Sequence, residues 1–414
     1  MKRSVDGPRP PIPAPLRGIE ENTWTHTSVV VRLPNIARRV IQENDFPLAI
    51  NRQLEALAGE IPASPIRPLA DADAPDAADW EAYVAPYRGQ NWLEVPWFFA
   101  EYYFYRRILE ATRYFHPGEG QPVDPFAYQK QQGVVTALDT IRALSARQEA
   151  LLHKDPWGRK ALGELLVRAL WGNQADLSLW PAGAEDNPHG EIEQQRADQI
   201  IVDDTDRVAD YLSRIVPCLR IDLILDNAGL ETVTDLCLAD YLLGANMVQA
   251  VHLHLKSYPV FVSDAMVKDI WATIDVLAGD EDEHVQALAV RLRRYLDEGR
   301  LHLASDVYWS SPLCAWEMPY PVRADLARSQ LVISKGDANY RRLLGDRHWP
   351  PTTPFADIVR SFPAPLVVLR TLKSEVIAGL KPGQAKALAR RDPEWLVNGK
   401  RGQVQFANPL LEVG

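Results

Sequence analysis

Ile221-Asp222-Leu223-Ile224-Leu225 runs straight into Asp226-Asn227-Ala228-Gly229, an apolar run that stops on polar residues and restarts as an amphipathic helix. The device recurs at Tyr258-Pro259-Val260-Phe261-Val262 before Ser263-Asp264, and at Leu331-Val332-Ile333-Ser334 before Lys335-Gly336-Asp337-Ala338-Asn339-Tyr340. It returns at Pro365-Leu366-Val367-Val368-Leu369 before Arg370-Thr371-Leu372-Lys373. Near-continuous apolar strands followed by helices predict an α/β fold with a mostly parallel sheet covered on both faces. Such sheets bind ligands at the carboxyl ends of their strands. The four clusters are therefore expected to meet in one crevice. Pooled there, carboxylates and an amide suit a hard metal ion, and Arg370 and Lys373 suit an anion.

A chain of 414 residues has room for two structural units. The expected division is an extended proline-rich arm over 1–25, a helical N-terminal domain over 26–200 and an α/β/α domain over 201–414. A formal charge of -10 argues against a nucleic-acid binder, which would present a basic face. Cys218, Cys237 and Cys314 are widely separated and odd in number, which supports neither a disulfide framework nor a zinc knuckle. The N-terminus lacks the apolar core of a signal peptide, and no uncharged apolar segment approaches membrane-spanning length. The expected setting is the reducing cytoplasm, with no membrane and no nucleic acid as partner.

In the first half, helical spacing runs from Val31 to about Leu57, and Pro62 to Asp79 reads as an exposed loop. Trp97 to Leu109 is dense in aromatic rings at helical period and reads as core, with Glu101 and Arg106 as its polar exceptions. The segment Trp171-Gly172-Asn173-Gln174-Ala175-Asp176 breaks a helix and reads either as a C-cap or as a substrate contact through Asn173 and Asp176. In the second half the sheet is expected to begin near Leu219. Val251 to Lys256 alternates as a strand with His252 and His254 on one face, where they line the sheet unless a third ligand makes them a metal pair. Leu301 to Asp306 repeats the apolar-then-polar unit, and Gly402 to Phe406 is expected to add a strand.

Asp226, Asn227 and Asp264 supply three oxygen donors of the kind that hard divalent ions prefer, and leave positions open for water and a phosphate. Each alone would read as a helix N-cap; the set at successive strand ends reads as metal ligands. Gly336 lets backbone N–H groups approach a ligand, and the helix start through Asp337, Asn339 and Tyr340 favours a negative group. Arg370 grips a phosphate bidentately, Thr371 adds a hydroxyl and Lys373 a point charge. The combination predicts metal-assisted phosphoryl transfer to water. Direct attack by Asp226, giving an aspartyl-phosphate, is the competing route. The absence of a strand-ending Asp-x-Asp pair favours metal-activated water.

Taken in order, Asp226-Asn227-Ala228-Gly229-x-Glu231, Val262-Ser263-Asp264, Lys335-Gly336-Asp337-x-Asn339-Tyr340 and Arg370-Thr371-x-Lys373 resemble the DUF89 family of damage-control phosphatases. The last motif is similar to that of its sugar-phosphate subfamily, which includes the acidic residue methyltransferase 1 proteins. Glu101 to Arg107 and Trp171 to Ser178 are further matches, so the resemblance spans about Trp92 to Leu380. It implies a helical N-terminal domain on a three-layer α/β/α domain. It also implies hydrolysis of small phosphorylated metabolites such as fructose 1-phosphate with Mn²⁺, Co²⁺, Ni²⁺ or Mg²⁺. Metal positions fall on Asp226, Asn227 and Asp264, substrate positions on the Gly336 to Tyr340 segment and Lys373, and Glu231 takes a supporting role.

Two other functions remain to be weighed. A protein-carboxyl methyltransferase would need a glycine-rich turn for S-adenosylmethionine, and no convincing Gly-x-Gly follows a strand. A sugar-phosphate binding protein without turnover would bind its ligand tightly without metal, whereas a phosphatase releases phosphate only with it.

Overall fold

A computed structural model describes residues 7–9, 11–116, 123–154, 158–172 and 199–410. The first half is helical. Helix α1 (Trp24–Thr27) continues through a π-helical turn (Ser28–Arg32) into α2 (Leu33–Glu43), followed by α3 (Leu48–Glu60), α4 (Ala77–Val84) and α5 (Trp97–Ala111). After these come α6 (Ala127–Val135), α7 (Leu138–Lys154) and α8 (Arg159–Leu170). Then β1 (Ile200–Asp203), α9 (Thr205–Ile215), β2 (Cys218–Ile224), α10 (Leu230–Gly244), β3 (Val248–Leu255), α11 (Val267–Ala278), α12 (Glu283–Asp297) and β4 (Leu301–Ser305) alternate. The chain finishes with α13 (Tyr320–Leu326), β5 (Leu331–Lys335), α14 (Gly336–Leu344), α15 (Phe355–Ile358), β6 (Leu366–Thr371), α16 (Gln384–Arg391) and β7 (Gly402–Ala407).

The seven strands form one sheet in the order β1-β7-β6-β5-β2-β3-β4. Strands β2 to β6 are parallel to their neighbours among themselves, whereas β7 runs antiparallel to β6 and β1, parallel to β7, shares that reversed direction. The expected mostly parallel sheet between helical layers is observed. Alternate residues feed two cores. Ile221, Leu223, Val251 and Ile333 pack with α7 to α12, whereas Ile224, Val332, Leu366 and Val368 pack with α2 to α5 and α14. Burial on both faces is why these strands read as continuous apolar runs.

From β2 the chain moves outward to β3 and β4, then returns to the other side of β2 as β5. The carboxyl ends of β2 and β5 therefore flank a topological switch point, where open α/β sheets leave a crevice. Asn339 spans it, its Nδ2 donating to the Leu225 carbonyl at 3.0 Å and the Lys335 carbonyl at 2.8 Å.

Two expectations are corrected. Tyr258 to Val262 is a loop beyond β3, and Phe261 and Val262 take φ of 53° and 66°, outside any strand conformation. The loop is apolar because α5 lies over it: the Phe261 ring sits 4.7 Å from Tyr102 and 5.3 Å from Tyr105. The sheet also begins earlier than Leu219, with β1 at the edge beside β7. Helix α5 is core, as its rings require. Its buried Arg106 is neutralised by Asp76 at 2.8 Å and Asp71 at 2.9 Å. Near the start of the chain, Leu16 is tied to Asp346 and Trp97 by backbone hydrogen bonds of 2.9 and 2.8 Å. Among the described residues no helix is long and apolar enough to cross a membrane.

Asn339→Ala removes both carbonyl contacts at the switch point and leaves two buried acceptors short of a donor. It is expected to cost roughly 1–3 kcal/mol. Thermal melts of the two proteins check this, and an unchanged Tm would contradict it.

Candidate active site

Asp226 and Asn227 follow β2, where the strand leaves the sheet. The loop after β3 is stitched beside them: Ala265 N–H donates to the Asp226 carbonyl at 2.8 Å, and Ala228 N–H to the Ser263 carbonyl at 2.6 Å. Asn227 and Asp264 form the bridge between the two segments. Asp264 is thus delivered beside Asp226 by a loop, not by a strand end. From the other side of the switch point comes Gly336, at the start of α14, with φ +82°. A Cβ there would lie 1.9 Å from Asp226 Oδ2, so only glycine allows this approach.

Asn227 Nδ2 donates to Asp226 Oδ2 at 2.9 Å and to Glu231 Oε2 at 2.8 Å, while its Oδ1 accepts from Ser263 Oγ. Lys256, which follows β3 directly, lies 3.2 Å from Asp264 Oδ2 and donates to the Trp309 carbonyl at 3.0 Å. Burial, reinforced by the charges of Asp264 and Glu231, holds the Asp226 carboxyl well above the usual carboxylate range. Burial also pushes Asp264 up to about 6, although Lys256 pulls the other way. Asp226 Oδ1 is buried and has no hydrogen-bond partner among the described residues. Two crowded carboxylates, one orphaned oxygen and an amide oxygen make a donor set that fits a hard divalent ion.

The residues expected to hold the anion divide into two groups. Lys373 is half-buried, makes no ion pair among the described residues, and stands close enough that its charge favours the ionised form of Asp226. Arg370 is fully buried, and its guanidinium is taken up by Asp337 Oδ1 at 2.7 Å, the Val376 carbonyl at 2.7 Å and Ser374 Oγ at 3.0 Å. It also lies 4.1 Å from the Tyr340 ring centre, and Tyr340 is buried against Phe355. Asp337 Oδ1 further accepts from Lys373 N–H at 3.2 Å and Ser374 Oγ at 3.1 Å. Burial would raise the Asp337 carboxyl, but Arg370 and Arg341 hold it below the usual range. Asp337 and Arg370 together fix the loop that presents Lys373. Thr371 Oγ1 donates to the Leu170 carbonyl at 3.1 Å.

Glu101 is buried between Arg32 and Arg341, the latter at 2.5 Å. Asn173 and Asp176 lie outside the described residues. Gly172, just before them, is close-packed on α10, where a Cβ would stand 2.9 Å from Glu231 Cα. Sequence reasoning assigned no role to Lys256 or Lys335. Their signal was available, since each is a lysine directly ending a buried apolar strand.

A second group of potential ligands lies in mid-sheet: atoms of Asp222, His254 and Asp325 come within 4.8 Å of one another. This set is compatible with a divalent ion, but Arg220 already fills it. Its guanidinium is 2.6 Å from both oxygens of Asp222 and 2.9 and 2.7 Å from those of Asp325. His254 completes the group with a 2.8 Å contact to Asp222. His252 lies against His302, with ring centres 4.3 Å apart and the rings tilted by 32°, instead of joining His254.

Residues 28–388 match the family model described as the damage-control phosphatase ARMT1-like domain. The chain is 35% identical over 380 residues to damage-control phosphatase ARMT1 of Rattus norvegicus, covering 84% of this chain and 83% of the relative. It is 32% identical over 443 residues to the protein of that name from Mus musculus, covering 96% and 99%. The crystal structure of a DUF89 family protein from Pyrococcus horikoshii aligns at 15% identity over 92% of this chain and 96% of that one, with a TM-score of 0.46. The chain belongs to the damage-control phosphatase ARMT1-like family.

A divalent cation held by Asp226 and Asp264 would have to displace protons from them. Because their folded pKa values are raised, the metal-free fold binds protons more readily than the unfolded chain, and these groups' contribution to stability falls as pH rises through about 6. The rise in Tm caused by Mn²⁺ is therefore expected to be large at pH 7.5 and small at pH 5, with apparent affinity falling about tenfold per pH unit for each proton displaced. Melts with and without Mn²⁺ across this range check it; an equal shift at both ends would contradict it.

Proposed function

We propose that this member of the damage-control phosphatase ARMT1-like family hydrolyses small phosphate monoesters, among them sugar phosphates of the fructose 1-phosphate kind. A divalent cation, Mn²⁺, Co²⁺, Ni²⁺ or Mg²⁺, would be held by Asp226, Asn227 and Asp264. The observation that carries this reading is the buried, unpartnered Asp226 Oδ1 beside a second carboxylate, at the switch point of the sheet.

When bound, the ion polarises the phosphate and lowers the pKa of a water molecule. The chain's own residues do the rest. Helix α14 opens at Gly336 with no side-chain hydrogen bond from its N-cap residue, and such a helix start favours a negative phosphoryl group. Gly336 keeps the approach clear. Lys373, carried by the loop that Asp337 and Arg370 anchor, balances charge on the phosphoryl oxygens. Asp337, Asn339, Tyr340, Arg370 and Thr371 spend their side chains inside the protein and act as the frame of the substrate site. Glu101 stiffens the helical wall through Arg32 and Arg341, and Asn173 and Asp176 are assigned to the substrate pocket. The same proposal divides the chain into an arm (1–25), a helical domain (26–200) and a catalytic α/β/α domain (201–414). It sets the protein in the cytoplasm, which its three buried free cysteines support.

The test is phosphate release from fructose 1-phosphate, fructose 6-phosphate and p-nitrophenyl phosphate, with Mn²⁺ or with EDTA. Release is expected with Mn²⁺ and not with EDTA, to be abolished in Asp226→Ala, and to fall about 10²–10³-fold in Lys373→Ala. Folded wild-type protein releasing no phosphate from any of them, or releasing it equally in EDTA, would overturn the reading.

A further inference from the structure

We infer that Lys335 and Asp235 are positioning residues that fix the side-chain amide of Asn227 through Glu231. The inference rests on the proposed metal role of Asn227. Only the oxygen end of a carboxamide ligates a hard cation, so an asparagine ligand must be kept from turning over. Both Nδ2 protons of Asn227 are taken by carboxylates, Asp226 Oδ2 at 2.9 Å and Glu231 Oε2 at 2.8 Å. A flipped amide would set its oxygen against two carboxylates. Outside the donor set the amide meets Ser263 Oγ, a hydroxyl that can donate or accept, and Glu231, a carboxylate that only accepts and so discriminates between the two orientations.

Glu231 is itself held. Its Oε1 accepts from Lys335 Nζ at 3.1 Å, and Lys335 lies 2.7 Å from Asp235 Oδ1. Glu231 and Asp235 stand four residues apart on one face of α10, where two like charges repel unless a cation lies between them. Lys335 is that cation. It is fully buried, so burial alone would favour its neutral form, yet the two acids hold its pKa above the ordinary lysine value. Its backbone leads directly into Gly336, which abuts Asp226. The Lys335 side chain therefore reaches the Asn227 amide through Glu231. Outer partners of metal ligands typically control affinity by about 10–100-fold when removed.

The test is direct titration of the metal-free protein with Mn²⁺ by calorimetry. The proteins are wild type, Asp226→Ala, Glu231→Ala, Lys335→Met, Asp235→Asn and the doubles of the last two with Glu231→Ala. Lys335→Met is expected to weaken Mn²⁺ binding about 10–100-fold, and Asp235→Asn by less in the same direction. Neither should weaken it further once Glu231 is alanine, because both act through that residue. At saturating Mn²⁺ kcat should return toward wild type. Should Lys335→Met fail to fold, the isosteric Asp235→Asn and its cycle with Glu231→Ala decide alone. Wild-type affinity in the folded Lys335 and Asp235 variants, or losses that add fully to that of Glu231→Ala, would overturn the inference while leaving the metal site standing. Wild-type protein that binds no Mn²⁺ through Asp226 would overturn the functional reading and this inference with it.

Discussion

The arrangement turns on a repulsion. Asp226 and Asp264 are buried side by side at the end of β2, and Asp226 keeps one oxygen without a hydrogen-bond partner among the described residues. A buried, crowded carboxylate pair is costly, and the fold spends much of its local structure on holding it in place. The loop after β3 is bridged to residues 226–228, Gly336 presses on Asp226 from β5, and Lys256 partly neutralises Asp264. This unbalanced charge at a switch point is the ground on which the proposed cation site rests.

The contrast with Asp222 is instructive because the same residue types appear in a settled form. Asp222, Asp325 and His254 sit as close together as metal ligands would, yet Arg220 supplies the cation from within the chain. Asp222 accordingly lies below the usual carboxylate range despite its burial, with His254 and Arg220 as the cause, whereas Asp226 lies above it. Proximity of ligand atoms alone does not distinguish the two clusters. Whether their charge is already balanced does.

Much of this was legible in the sequence. The apolar runs at 221–225, 331–334 and 365–369 gave the parallel strands because burial on both faces removes the alternation of polar residues. The Tyr258–Val262 run gave a false strand, since a loop roofed by the aromatic rings of α5 is as apolar as a strand. Asp226, Asn227 and Asp264 were legible as a donor set from residue type alone. The partition of Arg370 and Lys373 was not: both are cations after one strand, and only the fold shows that Asp337, Ser374 and Val376 take up the arginine while the lysine makes no ion pair among the described residues. Nor could spacing reveal that Lys335 joins Glu231 to Asp235, because that contact spans about a hundred residues of chain.

The central claim is that a cation belongs with Asp226, Asn227 and Asp264. A crystal soaked in Mn²⁺ and recorded for anomalous scattering tests it most directly. The account predicts an anomalous peak within bonding distance of Asp226, Asn227 Oδ1 and Asp264, with Arg220 still paired to Asp222 and Asp325. A peak at Asp222, His254 and Asp325 with Arg220 displaced, and none beside Asp226, would contradict it.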